Sequence, residues 1–465
     1  MTSQFSSRRR IRRVGLISPT SGNLGNATMQ SAMIANLRKR IVGVEIVGIT
    51  LNADDTRRRH GIEAFPLSAV SRPSYGLLNS GASHAHNQLA LRLSPIKQWL
   101  KHVPLLGRML RTVRNWCMEL AHIATAVRVV RKLDRVIVPG GGAVGDFWGG
   151  PWGHPWTLFK WSMISRVCGV PFLFVSVGQS PLERPLSRFF LSVALRLAEY
   201  RSYRDHGSKN AAETLIGARN DPVYPDLAFS YARPEVQTLC GNGSQDRRLV
   251  IGVSPIAYCD PRTWPRKDGR RYAAYVTKLA EMVKWLIKER HRVLFFTTDG
   301  PDALTLDDVQ TIIRAGDLAA DAVRILPGST EQSPESLLKG ISCADLTIAS
   351  RLHGVILSHL NTTPVLALSF EPKVDAHMSA VGHKDYCLSI DNLRLDTLIE
   401  RFTALKAARQ QERAHLRCAA VRFRDLLDVQ YDRIVGATQS GPVRGRSKSG
   451  IDDFRSSCAA SSQNG

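Results

Sequence analysis

Twice along this chain, short apolar runs stop at a glycine-, serine- or proline-rich loop and give way to helical periodicity. In the first half the runs are Arg13–Ser18, Val44–Thr50, Arg135–Pro139 and Pro171–Val177, with a shorter one at Ser202–Tyr203. Helical patterns cover 28–40 and 186–200. In the second half the runs are Leu249–Ser254, Arg292–Thr297, Ala322–Leu326, Asp345–Ala349 and Val365–Ser369. They alternate with helical patterns over 271–288, 302–315, 336–341 and 352–360, and a long one over 395–434 ends the series. Apolar runs of this length, separated by helices, are the pattern of parallel strands covered on both faces. The expected fold is therefore α/β: two Rossmann-like, doubly wound domains facing a cleft, with a long C-terminal helical segment.

The boundaries follow from composition shifts. Residues 1–12 read as a basic flexible arm and 13–232 as the N-terminal Rossmann-like domain, with a basic helical insertion at 71–133. The polar stretch 233–248, with Gly241, Gly243 and Ser244, reads as a linker. The second Rossmann-like domain and its terminal helix take 249–437, and the Ser/Gly-rich residues 438–465 read as a disordered tail.

Composition excludes several classes. With 43% hydrophobic and 22% charged residues over 465 positions, the chain is globular and long enough for two or three domains. No run approaches the roughly 20 apolar residues of a membrane-spanning helix. The eight cysteines are scattered, which supports neither a zinc clip nor a disulfide framework, so reduced thiols and no bound metal are expected. The basic N-terminus is followed by an apolar run too short for a secretory signal, and a cytoplasmic location is expected.

The 63 Lys+Arg against 40 Asp+Glu, a net +23, favour anionic partners. From Leu91 to Lys132 there are nine Lys/Arg and one acid, Glu119, interleaved with Trp99, Leu100, Leu105, Leu106, Met109 and Trp116. That mixture fits helices lying peripherally on the inner face of an anionic membrane. It equally fits a solvated excursion whose apolar residues face their own protein. No helix-turn-helix, zinc-finger or ribonucleoprotein signature accompanies the charge, so no specific nucleic-acid partner is expected.

In doubly wound sheets, ligands bind where loops and helix N-termini crowd the C-terminal ends of the strands. The motifs that could carry chemistry fall there: Gly22-Asn23-Leu24-Gly25, Gly140-Gly141-Gly142, Gly178, Ser350-Arg351-Leu352-His353 and Glu371-Pro372-Lys373. Arg351 offers a planar fork for carboxylate or phosphate, or a bridge to a neighbouring helix. His353 can move a proton near neutral pH, or sit as a satisfied interface histidine. The glycine loops allow close approach to phosphate but lack both the dinucleotide fingerprint and the Walker lysine. Asp205 and Asp226 suit either a ligand or a helix cap.

Taken in order, these residues resemble the polysaccharide pyruvyl transferase family. The resemblance rests on Ala344-Asp-Leu-Thr-Ile-Ala-Ser-Arg-Leu-His-Gly354 and Thr363-Pro-Val-Leu-Ala-Leu-Ser-Phe-Glu-Pro-Lys-Val374. Gly22–Asn26, Val138–Gly142, Ser202–Asp205 with Ser208, and Tyr224–Phe229 support it. It implies a fold similar to two-domain, GT-B-type glycosyltransferases, with the donor site in the second domain. It also implies transfer of the pyruvyl group of phosphoenolpyruvate, a co-substrate needing no other cofactor, onto a sugar or a lipid- or nucleotide-linked saccharide. By motif, His353 would be the general acid, and Arg204, Arg351 and Lys373 would hold the donor. Gly22, Asn23, Gly25, Gly140, Gly141, Gly142, Gly178, Asp226, Ser350, Leu352 and Glu371 would line the substrates. Asn26-Ala27 and Ser176–Pro181 depart from the family's usual loops. The alternatives are a GT-B-type glycosyltransferase using a nucleotide sugar and a non-catalytic saccharide- or membrane-binding relative.

Overall fold

The computed structural model describes residues 11–18, 22–69, 104–147, 149–232, 248–315, 322–328 and 332–436; between 104 and 112 only the backbone is described. Residues 1–10 of the arm, residues 71–103 of the insertion, nearly all of the linker and the tail lie outside the described residues.

Each half is built on one six-stranded sheet. The first holds β1 (Arg13–Ser18), β2 (Glu45–Thr50), β3 (Glu63–Pro66), β4 (Arg135–Pro139), β5 (Phe172–Val177) and β6 (Tyr200–Tyr203), in the order β3-β2-β1-β4-β5-β6. The second holds β7 (Val250–Ser254), β8 (Arg292–Phe295), β9 (Val323–Ile325), β10 (Leu346–Ala349), β11 (Val365–Ser369) and β12 (Cys387–Ser389). Its order, β12-β11-β10-β7-β8-β9, is the same permutation read from the other edge. All of these strand pairs are parallel. The strand order reverses between β1 and β4 and again between β7 and β10, and each reversal opens a crevice for a ligand.

The sheets are flanked by α1 (Leu24–Arg40), α2 (Ala53–His60), α3 (Pro104–Val130), α4 (His154–Val167), α5 (Pro185–Leu197) and α6 (His206–Ile216) in the first half. The second half has α7 (Gly269–Lys288), α8 (Asp302–Arg314), α9 (Pro334–Ile341), α10 (Leu352–Leu360), α11 (Pro372–Ala380) and α12 (Leu395–Val435). Local chemistry sets their ends. α1 starts at Leu24, four residues ahead of the sequence expectation, because the Asn23 side chain accepts the Asn26 N–H at 3.0 Å and caps it. α6, which periodicity did not reveal, is capped by Asp205, whose carboxylate accepts the Ser208 N–H at 2.6 Å. α2 buries only Thr56 and relies on the Asn52 cap and Asp–Arg pairs one turn apart. No helix among the described residues is long and apolar enough to cross a membrane.

α12 joins the two halves. Its first turns bury Leu398, Phe402 and Leu405 in the core of the second sheet. Its last turns bury Leu416, Phe423, Leu427 and Tyr431 in a cluster shared with α1, the 3-10 turn Leu227–Ser230 and α10. Phe423 packs edge-on against Phe229 with centroids 4.9 Å apart. Arg40 of α1 donates to Asp428 and Asp432 of α12, both at 2.7 Å. Gln430, fully buried, accepts from the Ser176 hydroxyl at 2.9 Å and donates to the Ser202 hydroxyl at 2.8 Å. Those serines lie two residues before Gly178 and Arg204, so the end of the last helix clamps the strand ends from which the cleft is built. Replacing Gln430 by Ala strands buried polar groups and leaves a small cavity. Gln430→Ala should lower stability by about 2–3 kcal/mol, read as a shift in the denaturant midpoint at unchanged slope.

Candidate functional site

Between the two sheets, loops after β1, β5 and β6 meet the N-terminus of α10. Arg351, in extended conformation, is the residue ahead of that helix, and His353 is its second residue. The imidazole is packed against the first glycine loop: a Cβ at Gly25 would fall 1.9 Å from His353 Cγ. Next to it, the Leu24 N–H donates to the Thr298 carbonyl at 2.8 Å, tying the loops of the two halves together.

Opposite His353 stands Asp226, buried at the start of the Leu227–Ser230 turn. One oxygen accepts the Ala228 N–H at 3.0 Å; the other accepts from Arg204 at 3.1 Å and lies 4.0 Å from His353 Nε2. Burial alone would raise this carboxyl, but Arg204 and His353 more than offset it and hold it below the usual range. Arg204 packs so tightly under the second glycine that a Cβ at Gly178 would meet its Nη2 at 2.3 Å. That Nη2 is buried and has no hydrogen-bond partner, and the same is true of His353 Nε2. Burial holds His353 down at about 4; Asp226 pulls the other way, and Arg204, Lys373 and Arg351 add to the depression. All three cations therefore act on the same imidazole.

The other expected site residues divide into two groups. Leu352 lines the cleft, as do Arg204, Asp226 and Lys373. Lys373 is paired with Glu371 at 2.6 Å. The fork of Arg351, which could meet an anion or bridge to a helix, is turned onto Asp302, the first residue of α8, and its remaining nitrogen lies 3.2 Å from Asp299. These carboxylates keep the guanidinium cationic in spite of its burial. Ser350 faces away from the cleft: its hydroxyl is buried 2.8 Å from that of Tyr275. Gly140, Gly141 and Gly142 pack within the first half, against Met29, Asn26 and Ser180, and Gly141 accepts the Gly178 N–H at 2.7 Å. Gly22 takes the positive φ of 75° that lets the first loop turn into α1 beside Asn23.

Two cavities share the Lys373 side chain. One, of about 710 Å³, lies between Arg204–Gly207, Tyr224–Asp226, α10, α11 and α12. The other, of about 510 Å³, is walled by Tyr258, Trp264, Phe370 and Phe147, with Arg266, Lys267 and Arg271 at its edge. Rings from the two halves meet here: Phe147 and Trp264 have centroids 5.8 Å apart, and Trp264 and Phe370 5.6 Å. Sequence reasoning passed over this aromatic wall and over Asp299 and Asp302. The signal available was positional: Trp264-Pro-Arg-Lys267 and Asp299-Gly-Pro-Asp302 both lie in segments that follow an apolar run. Behind α10, His359 Nδ1 lies 3.0 Å from His377 Nε2. Among the described residues, no three His, Cys, Asp or Glu side chains are grouped to hold a metal.

Residues 23–372 match the sequence profile of the polysaccharide pyruvyl transferases. The chain belongs to that family. Solved structures share its fold at low identity. UDP-GlcNAc 2-epimerase from Neisseria meningitidis bound to UDP-GlcNAc is 12% identical, over 91% of this chain and 100% of that one, at a TM-score of 0.55. Staphylococcus aureus MnaA with UDP gives 12%, 91%, 95% and 0.54, and a glycosyltransferase from Rickettsia africae 10%, 92%, 100% and 0.51. This pyruvyl transferase family member thus has the two-sheet architecture of GT-B-type glycosyltransferases and of the epimerases built like them.

Burial and neighbouring charges hold several imidazoles neutral in the folded chain, among them His353 and His60 near 4, His377 near 3 and His359 well below its usual value. Unfolded, each binds its proton near 6.5, so between that pH and the folded values the unfolded state carries more protons. Stability should be full above about pH 7 and fall progressively as pH drops towards 4. The thermal midpoint followed from pH 7.5 to 4.5 checks this, and His359→Gln should flatten the slope.

Proposed function

We propose that the cleft moves the pyruvyl group of phosphoenolpyruvate onto a sugar of a cell-surface polysaccharide or its precursor, forming a pyruvate ketal. The observation that carries this reading is the grouping of a buried His353, with Nε2 free of any hydrogen bond, beside the Asp226–Arg204 pair on a cavity that Lys373 also lines. A compact donor with a carboxylate and a phosphate matches three fixed cations, and such preorganised charge acts most strongly where water is excluded. Membership in the pyruvyl transferase family supports the same donor.

His353 protonates the methylene carbon of the donor, and the adjacent carbon becomes cationic. One sugar hydroxyl attacks that carbon and gives up its proton. Phosphate leaves as its C–O bond breaks, carrying one of the two hydroxyl protons, and a second hydroxyl of the same sugar closes the ketal as the other proton returns to the imidazole. The atoms balance: one donor and one diol give one ketal and one phosphate. Asp226 faces the imidazole and favours its protonated form, while Arg204 and Lys373 hold the anion. Arg351, fixed by Asp302 and Asp299, contributes charge from a set position rather than a free fork. The aromatic wall of Tyr258, Trp264 and Phe370 suits the apolar face of a sugar ring placed beside Lys373. Phosphoenolpyruvate is a cytoplasmic metabolite, which puts the reaction on the inner side of the membrane.

The test is phosphate release from phosphoenolpyruvate with and without a pool of host lipid-linked saccharides. Acceptor-dependent release should fall by about 10²–10⁴-fold in His353→Ala. Failure of the folded protein to bind phosphoenolpyruvate, with nucleotide released from a nucleotide sugar instead, would overturn the reading in favour of a glycosyltransferase. A second expectation follows from the neutral imidazole. The donor's negative charge restores the proton to His353, so binding near pH 7 should take up close to one proton per site. Calorimetry in two buffers of different ionisation enthalpy measures this, and the uptake should vanish in His353→Gln.

A further inference from the structure

We propose that α3, α4 and α5 form one face that docks on an anionic phospholipid bilayer. Each helix turns an apolar stripe outward. On α3, Val113, Trp116 and Leu120 follow one another at helical spacing and all are exposed. On α4 the stripe is Trp156, Phe159, Met163 and Val167, and on α5 it is Leu186 and Phe189. The rings interlock across the helices. Trp116 lies 5.7 Å from Trp152 and 6.0 Å from Trp156, and Phe159 lies 6.2 Å from Phe189. Trp116, Trp152 and Phe189 nevertheless remain 44%, 39% and 56% exposed. A continuous aromatic surface of this kind on a soluble-type fold marks an interaction site.

Charge selects the partner. The sequences of the three helices contain one acid, Glu119, and it is buried in an ion pair with Lys160 at 2.6 Å. The exposed charges on these helices are all positive: Arg114 and Arg128 on α3, Arg166 on α4, Arg188 and Arg196 on α5. Just ahead of α5, the carboxylate of Glu183 is taken up by Arg266. Tryptophan and phenylalanine among arginines, with no exposed acid within the three helices and Glu183 and Glu199 exposed only at the two ends of α5, match the headgroup region of an acidic bilayer: rings enter the acyl boundary and guanidinium groups meet phosphates. An acidic bilayer supplies phosphates for the arginines and an acyl boundary for the rings in one continuous surface. The position of the face strengthens the argument. Ser180 and Pro181, which line the aromatic cavity, lead within a few residues into α5. A saccharide carried on a lipid anchor in the same bilayer would reach that cavity from its membrane side.

This reading does not depend on the identity of the donor. The experiment is co-sedimentation of the full chain with phosphatidylcholine vesicles, with and without phosphatidylglycerol, at low and high salt. The chain should pellet with the anionic vesicles at low salt and be released by high salt. Brominated acyl chains in the anionic vesicles should quench its tryptophan emission. Trp116→Ser combined with Phe189→Ser should weaken binding by roughly tenfold or more. Arg114→Glu combined with Arg188→Glu should abolish the preference for anionic lipid. Both double variants should keep the wild-type thermal midpoint. Absence of pelleting at low salt overturns the proposal, as does pelleting that neither double variant changes. Variants that change the molar mass measured by light scattering, or lower the midpoint, with vesicle binding unchanged would assign the face to a second copy or to the chain itself.

Discussion

A buried carboxylate costs several kcal/mol unless cations and N–H groups surround it, and Asp226 meets that demand in a way that organises the cleft. Its two oxygens take the Ala228 N–H and the Arg204 guanidinium and face His353 across 4.0 Å. The residues it gathers come from the first half at Arg204, from the 3-10 turn, and from the second half at α10. Without that negative charge, a buried imidazole and a buried guanidinium would share one small volume with nothing to favour their approach. Asp226 is at once a helix cap and the counterion of the interface.

The fold was largely legible because two-face burial leaves a plain signature. β5 is buried at every position, and its six residues read as an apolar run. α7, with Tyr275, Leu279, Val283 and Leu286 on its buried side, gives an equally clear helical period. α2 escaped because its eight residues include one buried side chain and six charges or histidines, so nothing periodic remains to be seen. α4 begins after Gly153 and carries aromatic residues on its outward side as well as its inward side, which blurs the period. The repetition of one strand order in both sheets left no sequence repeat, because the order is set by which loops cross over.

The site was legible in part, for a different reason. Arg351, His353 and Lys373 each follow an apolar run directly, so strand topology alone brings them to one edge. That Arg204 and Asp226 face them depends on how the two sheets are set against each other. That setting is fixed by the contacts of α12 with both halves, by the Leu24–Thr298 hydrogen bond and by the fit of Gly25 on His353; the helix itself is legible in the sequence, but none of these contacts is. Ser350, adjacent to Arg351 in sequence, points the other way because an extended residue ahead of a helix reverses the side of its neighbour; Tyr275 claims its hydroxyl. A bridge from Arg351 to a helix was one of two open readings, but its partner was not legible, since Asp302 lies 49 residues away.

Each of the three cations around His353 has a carboxylate of its own: Asp226 for Arg204, Asp302 and Asp299 for Arg351, Glu371 for Lys373. The carboxylates around these cations outnumber them, so net charge alone does not draw an anion in, and a ligand must replace the carboxylate contacts of Arg204 or Lys373 one for one. Under the proposed reaction this acts on turnover as well as on binding. The donor concentrates its charges in one small molecule, whereas the products divide them between free phosphate and a carboxylate fixed to a sugar. Each fragment alone replaces fewer of those carboxylate contacts than the intact donor does, so the same pairs that resist entry of the donor favour release of its products.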